Sequence, residues 1–172
     1  MAELRTLLGE ELEAFVGDDF AMVEALPGNV IPAPFGTDGP QEVVEVISHD
    51  GHAAGHGALW LPDRAVLVAG DMLSDLELPL PFTPQGLSAY LPALDVLEPF
   101  VAQAKWLIPG HGTPTDRPLQ RLQADRGVLR ALLRGEEIND RRRSLPDGEE
   151  TYQKLKETVG AYRAGSGGSP TV

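Results

Sequence analysis

The four histidines of this 172-residue chain fall in two short glycine-flanked segments, and this clustering limits the folds that the chain can adopt. His49, His52 and His56 lie in Ser-His-Asp-Gly-His-Ala-Ala-Gly-His-Gly, and His111 lies in Ile-Pro-Gly-His-Gly-Thr-Pro. A lone histidine is usually a surface or hydrogen-bonded residue, but histidines clustered beside glycines are typical of a metal site. We therefore expect both segments at one end of a sheet, where loop side chains converge.

Asp71 adds a carboxylate to this set, because it directly follows the apolar run Ala-Val-Leu-Val-Ala-Gly. A carboxylate at the end of a buried strand needs water, a helix N-terminus or a cation as its partner. Pro79 and Pro81 argue against a long helix, which favours a metal ligand over a helix N-cap. The chain has no cysteine, so a metal would be bound by imidazole nitrogen and carboxylate oxygen, which suit zinc and also iron or manganese.

The hydrophobic pattern predicts a β-rich centre. Turns at Asp50-Gly51 and Pro62-Asp63 separate short aliphatic runs. These runs predict strands at residues 43–47, 58–61, 65–69 and 105–108. Trp60 and Trp106 lie within predicted strands and are expected in the core.

Apolar residues at helical spacing predict four helices, at residues 3–16, 87–102, 118–133 and 149–162. Pro92 and Pro99 limit the regularity of the second. Residues 27–40 are rich in proline and glycine and are expected to form a surface loop. The length fits a single domain, residues 1–164, followed by a flexible tail at residues 165–172.

The order of these motifs resembles the later part of the metallo-β-lactamase superfamily. Asp-Gly-His-Ala-Ala-Gly, Gly-Asp and Pro-Gly-His-Gly follow successive strands in the order of that family, over residues 43–115. The resemblance implies an α/β fold, the αβ/βα sandwich of two packed sheets with a one- or two-metal centre at one edge. This chain would carry the C-terminal half, a mixed sheet with flanking helices.

The resemblance also implies a ligand set. His52 corresponds to a terminal metal ligand, Asp71 to the aspartate that bridges two metals, and His111 to a ligand of the second metal. The family's earlier His-x-His-x-Asp-His motif has no counterpart here, because no histidine precedes His49. A truncated gene, a fragment or a degenerate relative would each lack this motif. We therefore expect at most one weak, strongly hydrated site for zinc, iron or manganese. His56, or His49, could be recruited, although His56 is expected mainly to support the ligands or the fold.

Two functions from different classes are consistent with the sequence. The first is a metal-dependent hydrolase that cleaves an ester, thioester, lactone or similar bond, such as an amide or phosphoester, in a small molecule. Its activity would depend on the missing half. The second is a non-catalytic half-domain that acts by association with a partner. Substrate is expected to contact residues 75–85, with Leu76, Leu78, Leu80 and Phe82, unless these side chains pack into the core.

Consecutive apolar residues, as at 65–69, are typical of strands buried on both faces. In the complete sandwich one face packs on helices and the other on the second sheet. Without the N-terminal half one face would lose its cover. We therefore expect the chain to form a homo-oligomer, to bind a partner that carries the N-terminal half, or to aggregate.

The net charge of the chain limits the classes of partner that it can bind. A formal net charge of −12 disfavours nucleic acid and anionic membrane surfaces. The arginines after His111 are expected on the solvent face of helices, with anion binding as the alternative. The acidic N-terminus lacks the basic and apolar regions of a secretory signal, which predicts a cytoplasmic protein.

Overall fold

The computed structural model describes residues 30–31, 43–81 and 86–165, and within these ranges the chain forms a mixed sheet flanked by three helices. The α/β class expected from the sequence is confirmed. The predicted helix at residues 3–16, most of the predicted loop at 27–40 and the tail beyond Gly165 lie outside the described residues.

The five strands are β1 Val30–Ile31, β2 Val44–Ser48, β3 Gly57–Leu61, β4 Val66–Gly70 and β5 Trp106–Pro109. They lie in the order β1-β2-β3-β4-β5. The first four pair antiparallel, and β5 pairs parallel with β4. The four strands predicted from the sequence are confirmed to within one residue, whereas β1 falls inside the segment predicted to be a loop.

A turn of 3₁₀ helix at Pro62–Arg64 joins β3 to β4, where the sequence predicted a turn. Pro62 suits the start of this turn, because its ring presets φ and it has no N–H that needs an acceptor. Ala65 follows in the left-handed conformation, with φ of 51°, and its N–H donates to the carbonyl oxygen of Pro62. β4 therefore begins at Val66 rather than at Ala65.

The helices are α1 Gly86–Gln103, α2 Pro118–Leu133 and α3 Gly148–Gly165, as predicted apart from small differences at the ends. α1 is continuous although it contains Pro92 and Pro99. Both prolines are exposed, so the lost hydrogen bonds do not fall on the packed side of the helix. In the described ranges no helix combines the length and apolarity needed to cross a bilayer.

The helices cover one face of the sheet. Burial alternates along β3, β4 and β5, as the two-residue period of a strand requires. Trp60, Leu67, Ala69 and Leu107 are buried on the covered side, together with core residues of all three helices. The expected burial of Trp60 is confirmed.

The opposite face, which we term the outer face, is apolar but incompletely covered. Val46, Leu59, Val68 and Ile108 lie in register across four strands on this side, and Trp106 lies two residues from Ile108 on the same side of β5. The Trp106 side chain is 49% exposed, so the prediction that it belongs to the core was wrong. Trp106 lies on a terminal strand and points away from the helices, which is why its apolar character did not bury it.

Candidate functional site

Three loops lie at one end of the sheet. The histidine loop, residues 49–56, connects β2 to β3, and the aspartate loop, residues 71–78, follows β4. The Pro-Gly-His-Gly loop begins at Pro109, the last residue of β5, and extends to Thr113, and β5 runs parallel to β4. This topology brings His52, Asp71 and His111 to the same edge, because the start of β3 and the ends of β4 and β5 coincide there.

The carboxylate of Asp71 lies between two imidazoles. Its Oδ2 is 3.8 Å from His52 Nε2, and its Oδ1 is 3.4 Å from His111 Nε2. The His52 side chain is 15% exposed, whereas that of His111 is 56% exposed. Each carboxylate oxygen therefore faces a different histidine, one largely shielded from solvent and one accessible.

These separations leave space for ions between the groups. Two ligands of one zinc ion, each about 2.0–2.2 Å from it at a tetrahedral angle, lie roughly 3.4 Å apart. The Asp71 pairs have this spacing or slightly more, which exceeds a direct hydrogen bond. Among the described residues no three histidine or carboxylate groups converge on a single ion. The donors thus form two pairs, each with one imidazole and one oxygen of the shared carboxylate.

His56 contacts the backbone of Asp71. The Asp71 N–H donates to His56 Nε2 across 3.1 Å. Burial lowers the pKa of His56, and the neighbouring His52 lowers it further. The ring accepts through Nε2, so the nitrogen that faces Asp71 is already engaged, whereas the buried Nδ1 has no hydrogen-bond partner among the described residues. His56 therefore contacts the backbone of Asp71 through Nε2.

His49 closes the histidine loop. Its Nδ1 accepts from the N–H of Gly51 across 3.3 Å, and its own backbone N–H donates to the carbonyl oxygen of His56 across 2.9 Å. Burial lowers the pKa of His49 to about 4, and the adjacent His56 contributes to the fall. His49 is therefore a neutral imidazole that shapes the loop.

The aspartate loop and the Pro-Gly-His-Gly loop contact each other directly. The Gly110 N–H donates to the Gly70 carbonyl oxygen across 2.7 Å, and the Ser74 hydroxyl donates to the His111 carbonyl oxygen across 2.7 Å. A Cβ atom on Gly110 would lie 2.6 Å from Asp71 Oδ1. Glycine is required at position 110 because the carboxylate occupies the space of a side chain.

A buried ion pair anchors the aspartate loop to the rest of the fold. Arg142 Nη1 lies 2.6 Å from Asp125 Oδ1 on α2, and both side chains are almost fully buried. The other Asp125 oxygen accepts from the Leu73 N–H, and Arg142 Nη1 also donates to the carbonyl oxygens of Ser74 and Glu77. Burial raises the pKa of Asp125 to about 6, and the Arg142 guanidinium opposes that rise.

The arginines after His111 are mostly paired with carboxylates. Arg126 pairs with Asp95 and Glu98, Arg134 with Glu136, and Arg143 with Glu149. The expected solvent exposure holds for Arg117, Arg130, Arg134 and Arg141, whereas Arg126 and Arg143 are partly shielded by the carboxylates they bind. Arg142 is neither a solvent-exposed arginine nor part of an open anion site, because it is buried and pairs with Asp125.

A cleft of about 350 Å³ opens beside Asp71. Leu76, Leu78 and Leu80 line one wall, and Asp147 and Thr151 at the start of α3 line another. The sequence predicted the leucines as substrate-facing or as core, and Leu78 is both buried and part of the lining. Phe82 lies outside the described residues.

Glu77 is a polar group at this site that the sequence analysis missed. Its Oε1 lies 3.8 Å from His111 Nδ1, and it also lines the cleft. Its only signal in the sequence was a carboxylate among three alternating leucines, Leu76, Leu78 and Leu80. That pattern is equally typical of a solvent-facing residue.

Comparison with known proteins identifies the fold. The sequence matches the family model of the metallo-β-lactamase superfamily over residues 3–132, and no match was found among curated proteins. Similar solved structures include a metallo-β-lactamase from Pontibacter korlensis (21% identity, TM-score 0.52, covering 72% of this chain and 55% of that one). Another is a metallo-β-lactamase family protein from Thermus thermophilus (20% identity, TM-score 0.52, covering 98% of this chain and 64% of that one). A third is a β-lactamase domain protein from Burkholderia ambifaria (19% identity, TM-score 0.57, covering 84% of this chain and 47% of that one). The chain thus spans less than two thirds of each of these proteins.

Proposed function

Since the chain belongs to the metallo-β-lactamase superfamily, we propose that it carries part of a metal-dependent hydrolase centre that cleaves an ester, thioester, lactone or similar bond. In this proposal His52, Asp71 and His111 are the metal ligands. The observation that carries it is the Asp71 carboxylate, whose two oxygens face two different imidazoles at ligand-to-ligand spacing.

Zinc suits this set of nitrogen and oxygen donors, as do iron and manganese. Such an ion would polarise the carbonyl oxygen of a substrate and activate water at neutral pH. Other residues of the chain hold the proposed ligands in position. His56 accepts from the backbone N–H of Asp71, and the Ser74 hydroxyl donates to the backbone carbonyl oxygen of His111.

The cleft favours a neutral substrate. Apart from the donors, its lining combines the apolar side chains of Leu76, Leu78 and Leu80 with the carboxylates of Glu77 and Asp147. No lysine or arginine is among the described residues that line it. Carboxylates repel anions, so an acyl ester, thioester or lactone fits this cleft better than a phosphoester.

Among the described residues, each pair has one imidazole and one carboxylate oxygen, whereas catalytic zinc typically has three protein ligands. We therefore expect the isolated chain to bind zinc weakly and to need further ligands for full activity. Equilibrium dialysis that detects tight binding of two zinc ions per chain would contradict this expectation.

Metal binding and hydrolysis by matched variants test the proposal. His52→Ala, Asp71→Ala and His111→Ala should each lower zinc binding and abolish any zinc-dependent cleavage of a panel of esters, thioesters and lactones. His49→Asn is the matched control, because it removes an imidazole from the same loop as His52 while leaving an amide oxygen that can accept from the Gly51 N–H, and it removes no proposed ligand. Equal losses from all four substitutions would mean that the ligand assignment is wrong.

The exposed apolar residues of the outer face favour a second candidate function, a half-domain that acts by association. Trp106 is 49% exposed and Ile108 is 37% exposed on the same side of β5. Exposed apolar surface of this kind drives association at about 25 cal/mol per Å² buried. The partner would be a second copy or a chain that carries the N-terminal half. Sedimentation of the chain with and without Trp106→Lys tests this: association that the substitution weakens supports it, and a monomer in both cases contradicts it.

We further propose that the protein has no nucleic-acid or membrane partner, on the basis of its net charge of −12. Retention on heparin at physiological salt would contradict the absence of a nucleic-acid partner.

A further inference from the structure

Asp75 lies where the aspartate loop meets the Pro-Gly-His-Gly loop. Its Oδ1 accepts from the Thr113 N–H across 2.8 Å, and its Oδ2 accepts from the Thr113 hydroxyl across 2.7 Å. Both carboxylate oxygens thus bind the same residue, which follows His111 by two positions. Only 11% of the Asp75 side chain is exposed, so the carboxylate is largely withdrawn from water, whereas Thr113 is exposed.

Together with its neighbour, Asp75 holds the backbone on both sides of His111. The Ser74 hydroxyl binds the His111 carbonyl oxygen, and Asp75 binds the N–H two residues later. Gly112 lies between these anchor points with φ of +116°, and a Cβ atom there would lie 2.3 Å from Asp75 Oδ1. The second glycine of Gly-His-Gly therefore allows the carboxylate to approach the loop closely.

Two arginines compensate the charge of Asp75. Arg121 Nη1 on α2 lies 3.0 Å from Oδ1, and Arg141 Nη2 lies 3.4 Å from Oδ2. Arg121 is mostly buried, and its Nη2 lies 3.5 Å from the carbonyl oxygen of Thr113. Arg121 thereby connects the contact between Asp75 and Thr113 to helix α2.

The His111 side chain has little packing of its own, since it is 56% exposed and its ring nitrogens lie 3.4 Å from Asp71 and 3.8 Å from Glu77. The position of its ring is therefore decided by the backbone that carries it. We propose that Asp75 is a positioning residue, which sets the His111 imidazole opposite Asp71 Oδ1. This inference rests on the proposed metal centre, in which His111 is a ligand.

Zinc affinity tests the role of Asp75, with zinc alone as the probe and equilibrium dialysis as the measurement. Residues that orient metal ligands typically change metal affinity by about 10–100-fold, so we expect Asp75→Ala to weaken zinc binding by that factor. Thr113→Val, which removes the hydroxyl but keeps the N–H, should weaken it by about threefold to tenfold. Asp116→Ala is the matched control, because that carboxylate is 71% exposed and close to the same loop.

Thermal unfolding of the same variants separates positioning from folding. Thr113→Val should lose zinc affinity while its unfolding temperature stays near that of the unsubstituted chain, and it decides the question if Asp75→Ala fails to fold. If the unsubstituted chain binds zinc and both variants bind it equally well, the positioning role is overturned while the proposed centre stands.

The imidazole resonances of His111 in metal-free protein give a readout that is independent of zinc. They should shift in Asp75→Ala and Thr113→Val and remain unchanged in Asp116→Ala. If the unsubstituted chain binds no zinc, the proposed function fails, and these resonances alone decide the positioning role. Unchanged resonances in both loop variants would then overturn it.

Discussion

The aspartate loop and the histidine loop reach the same end of the sheet but are held there by different interactions. The aspartate loop is anchored from outside by Asp125 and Arg142, which bind its backbone from α2 and from the 3₁₀ turn at Arg141–Ser144. The histidine loop is closed from within, by the imidazole of His49 and by the carboxylate of Asp50, which accepts from the Gly55 N–H across 2.8 Å. Asp71 therefore depends on residues distant in sequence, whereas His52 depends mainly on its neighbours.

The largest expected effect is the loss of stability when the Arg142 anchor of the aspartate loop is removed, because the histidine loop, in the described part of the chain, has no such anchor. Arg142→Leu leaves the Asp125 charge buried without its cation and two loop carbonyls without a donor. Removing one partner of a buried ion pair typically costs about 3–5 kcal/mol, and we expect a loss of this size in the free energy of unfolding. Urea denaturation measures it.

Arg134→Ala is the control for this variant, because its ion pair with Glu136 is exposed on both sides. Exposed pairs contribute little, so no measurable change is expected there. If Arg142→Leu also unfolds at the same urea concentration as the unsubstituted chain, the external anchor is not what holds the aspartate loop.

An intermediate effect is expected in the histidine loop on acidification. Burial lowers the pKa of folded His49 to about 4 from 6.5, so the unfolded chain takes up a proton at a higher pH than the folded one. The stabilisation from neutral His49 is complete above pH 6.5 and is lost progressively as the pH falls from about 6.5 to 4. Urea denaturation at pH 7 and pH 5 measures this loss as the difference between the unsubstituted chain and His49→Asn, because Asp125, with its pKa raised to about 6, acts in the opposite direction in both proteins. His49→Asn should have a shallower pH dependence, and an identical dependence in both proteins would refute the assignment.

The smallest expected effect concerns the bond that links the two loops. His56→Ala removes the acceptor of the Asp71 N–H, and loss of one such hydrogen bond costs about 1 kcal/mol. Hydrogen exchange at the Asp71 amide should accelerate in this variant. In His56→Gln, which keeps an acceptor, exchange should stay closer to that of the unsubstituted chain. Equal exchange in all three proteins would show that the loops are held independently.

Much of the fold could be predicted from local patterns. The strands and the three described helices follow from apolar runs, and α1 formed through Pro92 and Pro99 because both lie on its exposed side. Trp106 was misplaced because an apolar run does not show which side of a strand the helices cover. β1 was missed because pairing of a two-residue strand with β2 is a tertiary contact inside a proline-rich segment.

The anchors of the site were harder to predict. Asp125 had a signal in the sequence, because it shares the apolar side of α2 with Leu122 and Leu129, and a charge at such a position needs a buried partner. Nothing local pointed to Arg142 as that partner, since it lies in a run of three arginines, residues 141–143, of which only this one is buried. Asp75 and Glu77 resembled ordinary surface acids.

The sequence by itself determined the elements and the candidate donors, because hydrophobic periodicity is a local property and the glycine-flanked histidines and Asp71 follow predicted strands directly. The tertiary structure decided how these donors are held. Antiparallel and parallel pairing brought three loops to one edge, and the burial of Asp125, Arg142 and Asp75 turned three unremarkable charges into anchors for the backbone. A charge in water contributes little, but the same charge removed from water requires specific partners, and only the packed chain determines which charges are removed.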